Sequence, residues 1–225
     1  MTDRHDEQGD AFDGADGHGF DEEELQALQA LDAELDDDED VLEAELIEDG
    51  QDADADLEAV LDDVEYAADA ERVADELLAR IGESSPQPRL EPTRRAVELL
   101  GDPQRSYPII HITGTNGKTS TSRLTESILR AYGLRTGLMT SPHLQRINER
   151  IVIDGLPIGN HALASNWDDI QPYLLMVDAE LAAAGEPELT YFEALTVLAY
   201  ACFADAPVDV AVIQVGLGGE WASPN

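Results

Sequence analysis

Lys118 is the only lysine in this chain, against twelve arginines. It stands in His111-Ile-Thr-Gly-Thr-Asn-Gly-Lys-Thr-Ser-Thr121, between an apolar run and a helical pattern. A compact ammonium on a flexible stem reaches phosphate oxygens that a planar guanidinium fits less well. Gly114 and Gly117 let backbone amides turn inward on an anion, and the helix behind them brings its positive end to the same place. The hydroxyl of Thr119 or Ser120 could then face a magnesium ion. The spacing is shorter than the full Gly-x4-Gly-Lys-Ser/Thr pattern, because Ile112 stands where its first glycine would be. A strand before the turn and a helix after it point to a nucleotide-phosphate loop. An ordinary strand-to-helix turn would leave the position of the sole lysine unexplained.

Other reactive side chains give less. Cys202 lies in the apolar run Leu198-Ala-Tyr-Ala-Cys-Phe203 without a basic neighbour, so a buried, inert thiol is expected rather than a nucleophile. A single cysteine forms no disulfide framework, which fits a reducing compartment. His143 by itself is a weak ligand candidate and receives no role.

Charge is unevenly spread. Residues 1–83 hold 33 acids against three arginines, and residues 84–225 hold 16 acids against ten bases, within a total of −36. So acidic an N-terminal third repels nucleic acid and anionic membranes, which argues against both as partners. The N-terminus has no apolar stretch resembling a signal peptide, and no run approaches the length of a membrane span. A cytoplasmic, monomeric protein is expected.

The elements that would position the loop follow from periodicity. Residues 1–64 read as an acidic, disordered extension. Leucines 25, 28, 31, 35, 42 and 46 recur at helical spacing, but Asp36-Asp-Asp-Glu-Asp40 repels itself along any helix face. A partner-binding amphipathic segment is the alternative for this stretch. The fold is expected from Glu65. Val73, Leu77, Leu78 and Ile81 make a helical stripe closed by Gly82, Ser84-Ser-Pro-Gln-Pro88 is a loop, and Thr93–Leu100 is a second helix. An α/β alternation follows: a strand at Pro108–Thr113, a helix at Thr119–Tyr132 and a strand at Thr136–Thr140. A polar loop at Ser141–Arg150, a short strand at Ile151–Ile153 and a turn at Asp154-Gly155 come next. Helices at 161–184 and 192–203 lead to a buried strand at Val208–Val215. Near-continuous apolar strands between helices predict an α/β fold, a mostly parallel sheet covered on both faces.

With these elements in place, a resemblance becomes specific. Thr113-Gly-Thr-Asn-Gly-Lys-Thr-Ser120 resembles the phosphate loop of the Mur ligase superfamily. Met139-Thr-Ser-Pro-His-Leu-Gln-Arg-Ile-Asn-Glu-Arg-Ile151 is similar to a loop specific to the dihydrofolate synthase/folylpolyglutamate synthase family. Thr190-Tyr-Phe-Glu193 and Val212-Ile-Gln-Val-Gly-Leu-Gly-Gly219 resemble two further segments of that family, in the same order. The resemblance implies a Mur-ligase ATPase domain over residues 65–225. It also implies a reaction in which ATP phosphorylates the carboxylate of dihydropteroate or a folate, and L-glutamate displaces the phosphate. It assigns Gly114, Thr115, Asn116, Gly117, Lys118, Thr119 and Ser120 to ATP, with Lys118 as the catalytic cation. Ser141 and Gln214 are assigned to magnesium, and Thr190, Tyr191, Phe192, Glu193 and Ala222 to the pteroate site. On the residues alone, Phe192 could equally be core, and Ser141-Pro-His143 a cap or turn.

Departures from the family pattern are local. Gln214 stands where the family carries a magnesium-binding glutamate, and an amide oxygen lacks the carboxylate's charge. Gly218-Gly-Glu-Trp-Ala-Ser-Pro-Asn225 places Ala222 where an aspartate is expected and puts Glu220 beside the phosphate chemistry. The chain ends a few residues after a strand, so a fragment or truncated product is expected, one that does not complete ligation alone. The alternatives are a non-catalytic nucleotide-binding remnant or another Mur-type amide ligase.

Overall fold

A computed structural model of the protein describes residues 61–80 and 89–214. The expectations for the acidic extension up to residue 60, for the loop at 84–88 and for Gly216–Asn225, Glu220 and Ala222 included, lie outside the described residues.

Among the described residues five strands form one sheet: β1 Ile109–Ile112, β2 Thr136–Met139, β3 Ile151–Ile153, β4 Leu156–Pro157 and β5 Val210–Gln214, in the order β1-β5-β2-β3-β4. The last strand in sequence is central and pairs in parallel with β1 on one side and β2 on the other. Its residues, Val-Ala-Val-Ile-Gln, are buried throughout, as a strand covered on both faces requires. Beyond β2 the direction reverses: β3 and β4 are antiparallel. Asp154 and Gly155 both have positive φ, 51° and 85°, the backbone that a tight two-residue hairpin needs. The short strand β4 was not anticipated, because Leu156-Pro157 shows neither alternation nor length.

Among the described residues five helices flank the sheet: α1 Ala67–Leu78, α2 Glu91–Leu99, α3 Lys118–Ala131, α4 Asn160–Ala184 and α5 Tyr191–Asp205. Successive strand side chains point to opposite faces, which divides the core in two. On one face, Ala211, Ile213, Met139 and Ile151 pack with α1, α2, α4 and α5 through Val73, Leu77, Val97, Trp167, Leu195 and Phe203. On the other, Val212, Leu138 and Val152 meet Ile110 and Ile112 of β1 and Leu129 of α3. Contact on the first face is close: a Cβ on Gly137 of β2 would lie 2.8 Å from the Phe203 ring. Element boundaries differ from the sequence expectation by one or two residues, mostly where strand ends fray into turns.

One boundary moves further. Residues 61–65 are helical and belong to the packed domain, ahead of the expected start at Glu65. The Asp62 carboxylate accepts the backbone N–H of Asn160 at 2.5 Å and of His161 at 3.1 Å, capping α4 from outside its own sequence. Gly159 makes room, since a Cβ there would sit 2.8 Å from Asp62 Oδ2. Asp63 pairs with Arg146 at 3.0 Å. Residues that read as tail by their charge are therefore capping and pairing groups.

Candidate phosphate-binding site

The carboxyl ends of β1, β5 and β2 lie side by side, the edge where parallel α/β sheets place their ligands. From β1 the chain enters Thr113–Gly117, all exposed, and then α3. Gly117 takes φ 73° at the head of this helix, and no side chain caps it. The first-turn amides of α3 thus keep their donors for an anion. Gly114 takes φ 148°, a conformation that side chains other than glycine's disfavour. Lys118 is half-buried, and its Nζ donates to the Gly114 carbonyl at 2.8 Å, so the ammonium arches back over its own loop.

Thr119 and two further residues close the group. The Thr119 hydroxyl donates to Gln214 Oε1 at 2.8 Å. Gln214 Nε2 donates to the Ser141 carbonyl at 2.8 Å and lies 3.4 Å from Ser141 Oγ. Three residues separated widely in sequence, from the start of α3, the end of β2 and the end of β5, are joined through one buried amide. The expected ATP and magnesium residues Lys118, Thr119, Ser141 and Gln214 are therefore brought together.

The donor set tests the magnesium assignment. Divalent magnesium is ordinarily held by one or two carboxylates together with substrate phosphates. Here the bonds run among hydroxyl, carbonyl and amide groups, and an amide N–H, not an oxygen, faces Ser141. Among the described residues no group of three or more His, Cys, Asp or Glu side chains is arranged to hold a metal. These residues do not fit a magnesium ion held by the protein itself.

The loop after β2 is more ordered than its polar sequence suggests. The Ser141–Pro142 peptide is cis, and Ile147–Arg150 forms a 3-10 turn with Ile147, Asn148 and Arg150 buried. Glu149 turns back to accept the backbone N–H groups of Leu144, Gln145 and Arg146 at 2.7, 2.8 and 2.9 Å. These three bonds hold its carboxyl down at about 2. Asn148 ties the loop to the Ile158 carbonyl and to Asn160.

Thr190–Glu193 sits at the N-terminus of α5. Thr190 Oγ1 accepts the Glu193 N–H, and the Glu193 carboxylate accepts the Thr190 N–H at 2.8 Å, a reciprocal cap. Glu193 is almost fully buried and also receives two bonds from the Arg89 guanidinium, both 3.0 Å. Phe192 is half-buried against the main core. Tyr191 is buried beneath Arg150, whose guanidinium carbon lies 5.0 Å from the ring centre, while Arg150 Nε donates to His143 Nδ1 at 2.8 Å. A chain of contacts thus links this segment to the Ser141 loop. Sequence reasoning missed Arg89, Arg150 and Glu149. Thr-x-x-Glu at 190–193 carries the signature of a capping box and could have been read as one.

Cys202 is buried and its thiol is pushed up by burial, as expected of an inert residue. A cleft of about 380 Å³ lined by Leu61, Asp62, Glu65, Tyr66 and His161 shares no residue with the phosphate site.

With this geometry in hand, similarity to known proteins is informative. The chain is 47% identical over 147 residues to the dihydrofolate synthase/folylpolyglutamate synthase of Mycobacterium tuberculosis, covering 62% of this chain and 30% of that protein. It is 42% identical over 144 residues to the folylpolyglutamate synthase of Lacticaseibacillus casei, covering 61% and 33%. Among solved structures, the Mycobacterium tuberculosis folylpolyglutamate synthase complexed with ADP superposes with a TM-score of 0.66 at 44% identity, over 71% of this chain and 34% of that one. A folylpolyglutamate synthase complex with AMPPCP and folate gives 0.59 at 36% identity, over 69% and 37%. The chain spans about a third of the length of these two relatives. No protein-family model matches it.

Proposed function

For a chain whose strong relatives and structural neighbours are dihydrofolate/folylpolyglutamate synthases, we propose that the Thr113–Ser120 loop binds the phosphates of ATP in an ATP-dependent glutamate ligation. The acceptor is the carboxylate of dihydropteroate or a folate: ATP converts it to an acyl phosphate, and the amine of L-glutamate displaces phosphate. The observation that carries this reading is the convergence of Lys118, Thr119, Ser141 and Gln214 at the carboxyl edge of three parallel strands.

Each residue has a physical task. Among the described residues Lys118 is tethered only to a carbonyl within its own loop, so its ammonium can exchange that partner for phosphate oxygens and neutralise their charge. Gly114–Gly117 and the uncapped start of α3 supply backbone donors. Ser141 anchors the loop that runs to Arg150 and so to Tyr191, on the segment proposed to line the pteroate site with Thr190 and Phe192. Glu193 acts there through Arg89 and the helix cap, as a positioning residue. Ala222 is the remaining member proposed for that site. Magnesium would come with ATP as its phosphate complex.

The proposal includes a monomeric, cytoplasmic protein without nucleic-acid or membrane partners. Among the described residues no helix is long and apolar enough to cross a membrane. Calorimetry with ATP tests the first half of the reading, and phosphate release with dihydropteroate, glutamate and ATP tests the second. ATP binding without phosphate release would favour a non-catalytic nucleotide-binding module, the reading to which the uncharged Gln214 site lends weight. No heat with ATP would end both readings.

A further inference from the structure

We infer that Gln214 takes the structural place of a divalent cation in the phosphate site, so that this chain grips ATP with little dependence on magnesium. The inference rests on the nucleotide-binding reading above and specifies how that site is held.

The orientation of the Gln214 amide follows from its partners. The Ser141 carbonyl can only accept, so the Gln214 atom 2.8 Å away is the nitrogen. That turns Oε1 toward Thr119, whose hydroxyl donates to it at 2.8 Å. Gln214 is only 4% exposed, and both ends of its amide are matched to the groups they meet. A carboxylate in the same place would still satisfy Thr119. Its second oxygen would face the Ser141 carbonyl, acceptor against acceptor, and a cation between the two is the ordinary remedy. The amide needs none, because its own N–H fills that gap.

Two consequences follow for the phosphate loop. The ends of β2 and β5 and the first turn of α3 are joined by protein groups alone. A cation entering between Gln214 and Ser141 would have to break the 2.8 Å bond there, and would gain only uncharged oxygens in return. Phosphate charge is left to Lys118 and to the backbone donors of Gly114–Gly117 and α3.

Calorimetry of ATP against the full chain, once in excess EDTA and once in saturating magnesium, tests this directly. The expected affinities agree within about threefold. In Gln214→Glu, magnesium is expected to strengthen ATP binding by roughly tenfold or more, and magnesium alone to raise the melting temperature, which it does not do for the wild type. A wild-type affinity that falls more than about tenfold in EDTA overturns the inference and leaves the nucleotide reading standing. So does a folded Gln214→Glu protein indifferent to magnesium. Failure to bind ATP under either condition instead removes the nucleotide reading itself. The wild-type comparison decides the matter even where the Glu variant does not fold.

Discussion

Arg89 and Glu193 meet as a two-bonded pair, both contacts 3.0 Å, between the segment entering α2 and the first turn of α5. The same guanidinium donates to the carbonyls of Pro187 and Glu188 at 2.8 and 2.7 Å. One side chain therefore fixes the loop before α5 and the residue that caps it.

Removing that guanidinium leaves a buried carboxylate whose remaining partner among the described residues is the Thr190 backbone N–H. Arg89→Ala is expected to cost about 3 kcal/mol of stability in urea denaturation, the scale for breaking one side of a buried ion pair. Arg89→Lys should recover only part of it, because an ammonium cannot reproduce the paired bonds. A loss under about 0.5 kcal/mol, the range of an exposed pair, would contradict the structure.

Lys118→Ala separates binding from folding. Among the described residues its Nζ bonds only to a carbonyl of its own exposed loop, so the melting temperature should barely move. ATP affinity should fall roughly 10- to 100-fold in calorimetry, as the loss of a charged hydrogen-bond donor implies. Unchanged affinity would remove Lys118 from the site.

Glu149 gives the Ser141–Arg150 loop a pH dependence. Its folded value of about 2 lies below the ordinary 4.5, held there by the three backbone donors. A lowered carboxyl favours the folded form wherever the group is ionised in both states. The contribution is thus complete above the ordinary value and fades as pH falls from about 4.5 toward 2. The melting-temperature gap between wild type and Glu149→Gln should be constant above pH 5 and close across that acidic window. A gap that widens on acidification would show that other contacts hold the loop.

Gly137→Ala tests how closely α5 lies on the sheet. The new methyl would meet the Phe203 ring at 2.8 Å, and overpacking of this kind costs about 1–3 kcal/mol. Adding Phe203→Leu should cost less in the Gly137→Ala background than in the wild type, a coupling read from a double-mutant cycle.

Local signals carried much of this architecture. The isoleucine-rich strand at 109–112, the glycine turn and the helix from Lys118 were legible because each is a contiguous local signal. The residues proposed for the phosphate site stood out by type, but their hydrogen bonds to one another did not. What sequence could not supply was pairing across distance: Arg89 with Glu193, Arg150 with Tyr191 and His143, Asp62 with the head of α4. Charge also misled at residues 61–64, where carboxylates that look solvated serve as a cap and an ion pair. The direction of β3 was likewise closed to local reading, since three apolar residues pair equally well either way.

The position of β5 has a temporal meaning. It is the last described strand in sequence and yet separates β1 from β2, which never pair with each other. During synthesis the first two parallel strands have no common neighbour until residues 210–214 emerge, so the sheet closes late and through distant contacts, the slow kind to form. The same insertion delivers Gln214 to Thr119 and Ser141. Assembly of the proposed phosphate site and closure of the gap between β1 and β2 are then a single event.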